Sequence, residues 1–433
     1  MKAFFRAFIL LSIFTCINAF PNYLISNFGS SDIAIVDAQT NDVIGVVNDA
    51  AAPLSAPGFV IITPDSTKAL VGNNGNNTIA IIDMTTLAVT GNIIDAAGTI
   101  SSPISILITP DSQKAFVVNE ANDTVSVIDM ATETVTGLVN DAAGPFDSPD
   151  AGDITPDGTT LLIPNDAPTN TVSVVDVATN TVTGTVNDVA GPFNVPERVT
   201  ISPNGTIALA TNFGNDTVSI INVATQAVTG LVNDAAGPFS SPKNVAFSPD
   251  GTTALVGNQG NNTVSVIDVA TQTVTGLVND PSSTFSFSFG ITVSPDGTTA
   301  YVANAGNSSV SIINMATLTV TGVIDDTISP FSFPVWIEFI TSTAGDFPVT
   351  GKAGRESFLT ETNIFVKLSW TSSSAQTFNI YRRSKLVGTV RGQGVLKFID
   401  NNLKSKTIYT YRVVALSSGG SPVSEGVLTI KTK

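Results

Sequence analysis

Asp150, Asp153, Glu197, Arg198, Lys243, Trp336 and Glu338 are the side chains of this sequence best suited to chemistry. Arg198 and Lys243 can clamp an anion or a carboxylate, and Trp336 offers a flat apolar face beside them. Asp153 and Glu338 can take a cation or polar hydroxyls. The 433-residue chain contains no histidine. That removes Ser-His-Asp hydrolysis and any His-ligated zinc, copper or haem. No Walker-type loop is present, and no helix follows the glycine-rich turns, so nucleotide binding by that route has no support. Carboxylate-only chemistry survives, as does a calcium site made from Asp, Asn and backbone oxygens; no other cofactor is expected.

These seven residues stand out because the chain repeats itself and they break the repeat. Segment 290–324, GITVSPDGTTAYVANAGNSSVSIINMATLTVTGVI, has six imperfect copies. The motif [DST]-[VI]-[SA]-[VI]-[VI]-[DN] ends at Asp37, Asp83, Asp129, Asp176, Asn222, Asp268 and Asn314, spaced by 46 or 47 residues. Each copy reads as four short strands: Val, Ile and Thr recur at period two, and Pro-Asp-Gly and Gly-Asn sit where hairpins reverse. A four-stranded unit of this length is the period of a β-propeller, which closes into a ring and leaves no open end sheet. The centre of the first strand reads Ile61, Leu107, Asp153, Thr200, Ala246, Thr292 and Glu338 through the copies. Two carboxylates therefore interrupt an otherwise neutral ring. Just upstream, the slots hold Gly58-Phe59, Ile104-Ser105, Asp150-Ala151, Glu197-Arg198, Lys243-Asn244, Phe289-Gly290 and Val335-Trp336. A blade tolerates Gly, Ile or Ala there, so the charged residues and the Trp are not demanded by the scaffold, and that end of the inner strands lines the axial funnel.

Two further rings recur in every copy. Asn27, Asn73, Asn119, Asn165, Asn212, Asn258 and Asn304 end the second strands, and Asp49, Asp95, Asp141, Asp188, Asp234, Asp280 and Asp326 follow the fourth. A residue needed in every blade reads as a turn former, because Asn and Asp satisfy backbone groups at turns. The sequons at Asn76, Asn122, Asn215, Asn261 and Asn307 fall in one repeated turn and read the same way. The first copy lacks its first strand, and residues 335–341 align with the first strand of the other copies. This predicts a ring closed by a C-terminal strand that completes the N-terminal blade.

SPDGT at 294–298, AYVAN at 300–304 and SVSIIN at 309–314 resemble the YVTN-family β-propeller repeats of bacterial and archaeal surface proteins, over roughly residues 20–342. The resemblance implies a seven-bladed scaffold rather than a particular activity. Beyond it, NIFVKLSW, TFNIYR, LKFID, LKSKTIYTYRVVAL and GVLTIK read as a small antiparallel sandwich. This part resembles a fibronectin type III domain through Trp370, Tyr381 and the Leu403, Thr407 and Tyr409 spacing of a tyrosine corner, with Ser405 where the family often has Pro. Gly354-Arg355-Glu356 is not the integrin-binding tripeptide, so adhesion of that kind is not implied. The expected fold is all-β: a signal peptide at 1–19, a seven-bladed β-propeller at 20–342, a linker at 343–349 and a fibronectin type III-like β-sandwich at 350–433.

Lys2, Arg6, the run FILLSIF and Ala19 give the charged, apolar and small-residue order of a secretory signal, too short to be a span. The lone Cys16 leaves with it, so no disulfide or thiolate site is expected in the mature chain. Residues 20–349 carry 4 basic and 31 acidic residues, and residues 350–433 carry 13 basic and 4 acidic ones. An acidic ring repels phosphate backbones and anionic membrane, which excludes nucleic acid as its partner. The sequence is best read as an exported, non-catalytic binding or surface-interaction protein, secreted, periplasmic or on the cell surface, whose partner is a protein or an envelope polymer. Two alternatives are a carboxylate- or calcium-dependent hydrolase such as a lactonase, and a self-associating envelope-layer component.

Overall fold

In the computed structural model, residues 22–340 are described except 39, 167, 325 and 327–329, together with 350–357, 362–372, 377–382, 385–391, 394–400, 403, 408–416 and 422–431. The expected signal peptide and linker lie outside the described residues, as do Thr407 and the side chains of Trp370, Tyr381 and Tyr409 on which the tyrosine corner depends. One compact unit is Pro21–Thr343, and another takes in Ala344–Lys433.

The first unit is seven four-stranded antiparallel sheets, a seven-bladed propeller. Six blades are consecutive in sequence. The remaining one pairs Pro334–Phe339 with Tyr23–Asn27, joining Ile337 to Ile25 and Glu338 to Leu24, and continues through Asp32–Val36 and Val43–Val46. We number this blade one and the others two to seven along the chain. The first strands of successive blades neighbour one another around the axis.

Stacking of the sheets explains why the strands are apolar on both faces. In Thr263–Asp268 the four central residues are all buried, because one face meets the preceding blade and the other the next. Between blades one and two the core is Leu24, Ile33, Val60, Val71 and Ala80; between blades five and six it is Leu209, Ile220, Val245, Val256 and Phe239.

The recurring polar residues serve the backbone. Asp234 Oδ2 accepts the Phe239 amide at 3.2 Å, and Asp188, Asp280 and Asp326 do the same for Phe193, Phe285 and Phe331. Each of these Phe side chains is thereby seated between two blades, 4–5% exposed. The buried Asn258 accepts the Ser240 amide and donates to Thr263 Oγ1 at 3.1 Å and Ser265 Oγ at 2.8 Å, stitching the inter-blade loop to its own second and third strands. At the hairpins, Asp129 and Asp268 are held below the usual carboxylate range by the backbone N–H and hydroxyl of Thr132 and Thr271.

The second unit holds two antiparallel sheets. Thr350–Ser357, Thr362–Ser372 and Gly394–Asp400 form one, and Lys385–Arg391, Thr377–Arg382, Ile408–Leu416 and Pro422–Lys431 the other. Val366 and Leu368 are buried on the first, Phe378 and Ile380 on the second. Among the described residues no helix is long and apolar enough to cross a membrane.

Candidate functional site

The seven first strands surround a cavity of about 320 Å3 at the funnel end of the axis. Five of the seven residues singled out in the sequence line it: Asp150, Glu197, Arg198, Lys243 and Trp336. Asp153 and Glu338 are not part of its wall, and each serves the neighbouring blade. Asp153 Oδ2 accepts the Ile201 amide at 2.8 Å, and Glu338 Oε1 accepts the Ile62 amide at 3.4 Å. Thr200, in the same slot of blade five, donates to the Val245 carbonyl at 3.0 Å, so the slot works as an inter-blade tie in three blades.

The charged wall starts from a local departure in blade four. Its first strand is only Asp153–Ile154, where most other blades have six residues. Upstream of it Pro149 still pairs with Asn165 and the Asp150 amide donates to the Pro164 carbonyl at 2.9 Å, but Ala151 shifts to blade five and pairs in parallel with Arg198, its carbonyl accepting the Val199 amide at 3.0 Å. Gly152 is required at this crossing, since a Cβ there would stand 2.3 Å from the Leu162 carbonyl oxygen. The shift brings Asp150 beside Glu197, with which it hydrogen-bonds, and beside Lys243, which forms a salt bridge with Glu197 Oε2. Glu197 and Lys243 are 10% and 22% exposed, open only toward the cavity.

Burial pushes the Asp150 carboxyl well above the ordinary range; Lys243 pulls it back and Glu197 pushes it up again. Burial thus favours the protonated form of Asp150 beside the Lys243–Glu197 ion pair. Burial works against the Lys243 ammonium, yet Asp150 and Glu197 outweigh it and raise its pKa. Arg198 is disfavoured by burial and supported by Asp153, Asp150 and Glu338. Burial also raises Asp153, and it carries Glu338 to about 7 against the Ile62 amide, the Trp336 indole and Arg198.

Arg198 lies against two rings, its Cζ 4.7 Å from the Trp336 centroid and 5.2 Å from that of Phe59, which stack on each other at 4.0 Å. Its Nε reaches Thr200 Oγ1 at 3.4 Å, while the buried Nη1 has no partner. Asn244 Oδ1 and Asn74 Oδ1, in the same wall, are likewise buried without one. Unpaired buried donors and acceptors around one cavity are costly unless a ligand or water meets them. Lys68 and Lys114 stand apart from the site: Lys68 pairs with Glu133 at 2.5 Å, and Lys114 donates to the Val177 carbonyl at 3.0 Å.

The structure adds an aromatic half that sequence reasoning passed over. Phe28, Phe59, Phe289 and Phe333 join Trp336 in the cavity wall. The slots gave only a partial signal: Phe28 aligns with Asn74, Glu120 and Asp166 but also with Phe213, and Phe333 with Ala56, Ser102 and Ser148 but also with Phe287. Among the described residues no group of three or more acidic side chains converges as a metal site would need.

A seven-bladed propeller with an axial pocket of buried carboxylates and cations is the class of protein that this fold and site define. The family model described as lactonase, 7-bladed beta-propeller, matches residues 194–328, the stretch that carries Glu197, Arg198, Lys243 and Phe289. Among solved structures, the chain is similar to the periplasmic gluconolactonase of Pseudomonas aeruginosa, at 18% identity and a TM-score of 0.58, covering 74% of this chain and 99% of that one. It is also similar to a putative 6-phosphogluconolactonase of Bacteroides uniformis, at 14% identity and a TM-score of 0.56 over 74% and 99% of the two chains. The hydrazine synthase of Kuenenia stuttgartiensis is similar as well, at 22% identity and a TM-score of 0.52 over 60% and 76%. At these identities the likeness is one of fold. A search of curated protein sequences finds no match.

Proposed function

We propose that the propeller is a lactonase, a hydrolase that opens a small cyclic ester in the axial pocket. The observation that carries this reading is the Asp150–Glu197 acid pair, clamped by Lys243 beside the unpartnered Arg198 Nη1. The non-catalytic binding role expected from the sequence gains no support from the comparisons, which favour the hydrolase alternative.

The geometry suits the reaction. Glu197 takes a proton from water as the water oxygen attacks the lactone carbonyl carbon, and the carbonyl π pair moves to oxygen. Arg198 Nη1 and Lys243 face the resulting oxyanion in a site with little water to compete. Collapse of the tetrahedral species breaks the ring C–O bond, and the leaving alkoxide takes its proton from the acid pair. The product is the open hydroxy acid, and the pair returns to its starting protonation. Because burial favours the protonated form of Asp150, the pair can accept and return a proton without placing two charges side by side.

The order of residues 1–19 supports an exported enzyme, and the strand order of the second unit supports a fibronectin type III-like sandwich appended to it. Repeats of the YVTN type fit the ring. The test is acid release from an unsubstituted δ-lactone by the full chain, compared with Glu197→Gln. Turnover that the substitution leaves intact would end the assignment of Glu197.

A further inference from the structure

The cavity is divided by chemistry. Blades three to six give its charged side, with Glu120, Asp150, Glu197, Arg198 and Lys243. Blades one, two and seven give Phe28, Phe333, Phe59, Trp336 and Phe289. Phe59 and Trp336 stack as one pair, and the other three rings form a track. Phe28 meets Phe333 at 6.0 Å between centroids, Phe333 meets Phe289 at 6.4 Å, and Lys243 Nζ lies 5.5 Å from the Phe289 ring, where the track reaches the charged side. Gly290 lets blade one come this close to blade seven, because a Cβ there would stand 2.6 Å from the Val335 carbonyl oxygen.

Phe333 stands at the rim end of the track. It has φ 53°, a left-handed conformation that is uncommon for a bulky side chain. The same slot holds Ala56, Ser102, Ser148, Val195, Ser241 and Phe287 in the other blades, all at positive φ, so the left-handed turn belongs to the repeat. What sets Phe333 apart is its place, since it lines the cavity and is left 37% exposed, whereas Phe287 does not line it.

The aromatic side, in turn, offers no positive charge. Lys243 is already paired with Glu197, and blades one, two and seven contribute no cation to the wall. A phosphate or carboxylate on an arm that runs along the rings would lose its hydration without gaining a partner. An uncharged ester meets no such penalty.

We propose that the substrate of this site is an uncharged lactone bearing an apolar arm, with the ring held between Glu197 and Arg198 and the arm laid along Trp336 and Phe289 toward Phe333 and Phe28. The inference rests on the lactonase reading of the same pocket. It is tested with the full chain and three probes: unsubstituted δ-valerolactone, a δ-lactone carrying a linear alkyl arm, and 6-phosphoglucono-δ-lactone. The alkyl lactone is expected to show a kcat/KM at least tenfold above the unsubstituted ring, with the phosphorylated lactone below both. Phe333→Ser, which installs the residue of blades three, four and six, and Phe28→Asn, which installs that of blade two, should each shrink the alkyl preference severalfold while the thermal melt stays as sharp as in the parent. Preference for the phosphorylated lactone overturns the inference and leaves the lactonase reading standing. So does turnover of all three lactones with an alkyl preference that neither variant alters. No turnover of any lactone overturns both.

Discussion

Glu338 provides a prediction that can be worked to a magnitude. Its carboxyl is surrounded by protein, and burial carries its pKa from the ordinary 4.5 to about 7, against the pull of the Ile62 amide, the Trp336 indole and Arg198. Between those two values the folded chain holds a proton that the unfolded chain has released. Stability from this group is therefore complete below about pH 4.5 and is lost as pH rises through 7. At about 1.4 kcal/mol for each tenfold change in proton affinity, the loss is about 3 kcal/mol, an upper value because the residue as a whole is only partly buried. Glu338→Gln keeps an oxygen for the Ile62 amide and carries no titrating proton. Urea unfolding of the parent and the variant at half-unit steps from pH 4.5 to 8 measures the difference. The variant should gain on the parent progressively through that window and level off above it. Parallel curves, or a parent that gains on the variant as pH rises, would show that Glu338 is not a buried acid facing Arg198. Asp150 and Asp153 are raised by burial too and act in the same direction, but they are common to both proteins and cancel in the difference.

Three further outcomes follow from the same contacts. Lys243→Met strips the counter-charge from the Asp150–Glu197 pair and should cost about 3 kcal/mol by chemical denaturation, with most of the loss recovered when Glu197→Gln is added, because a neutral amide needs no cation. A chain ending at residue 333 loses the strand that covers the fully buried Tyr23, Leu24 and Ile25 and should not give a cooperative melt, whereas one ending at 343 should melt as a folded ring. Asn258→Ala should cost about 2 kcal/mol, because the Ser240 amide loses its acceptor and the Thr263 and Ser265 hydroxyls lose a donor; a loss in urea unfolding free energy below a quarter of that would place the Asn ring outside the stitching role.

The ring was readable because its signals repeat. A period of 46 or 47 residues with Pro-Asp-Gly turns and two-sided apolar strands leaves few architectures, and the register puts Asp153 opposite Leu162 and Glu338 opposite Leu24, as the slot alignment requires. The Asn and Asp rings likewise read as turn chemistry, and all but Asn27 accept the amides expected of it. The site was readable only in part. Asp150, Glu197, Arg198, Lys243 and Trp336 stand out because sister copies do without them, but the same logic counted Asp153 and Glu338, whose carboxylates turn to the amides of the next blade. Sequence spacing fixes the slot a residue occupies, while the direction of its side chain is set by whether the neighbouring strand offers an unpaired N–H. The aromatic half went unseen for a different reason. In an apolar repeat a Phe reads as core, and only the assembled ring shows Phe28 and Phe333 turned to the mouth of the pocket. The swing of Ala151 onto blade five also depends on a contact between blades that no single copy encodes.

The most direct measurement is pH-stat titration of the acid released from a δ-lactone, run with the full chain and with Glu197→Gln. The account predicts saturable base uptake by the parent and a fall of at least about 100-fold in the variant, the usual size of a lost general base, with the thermal melt retained. Equal rates in parent and variant, or a parent rate no higher than spontaneous hydrolysis, would contradict it.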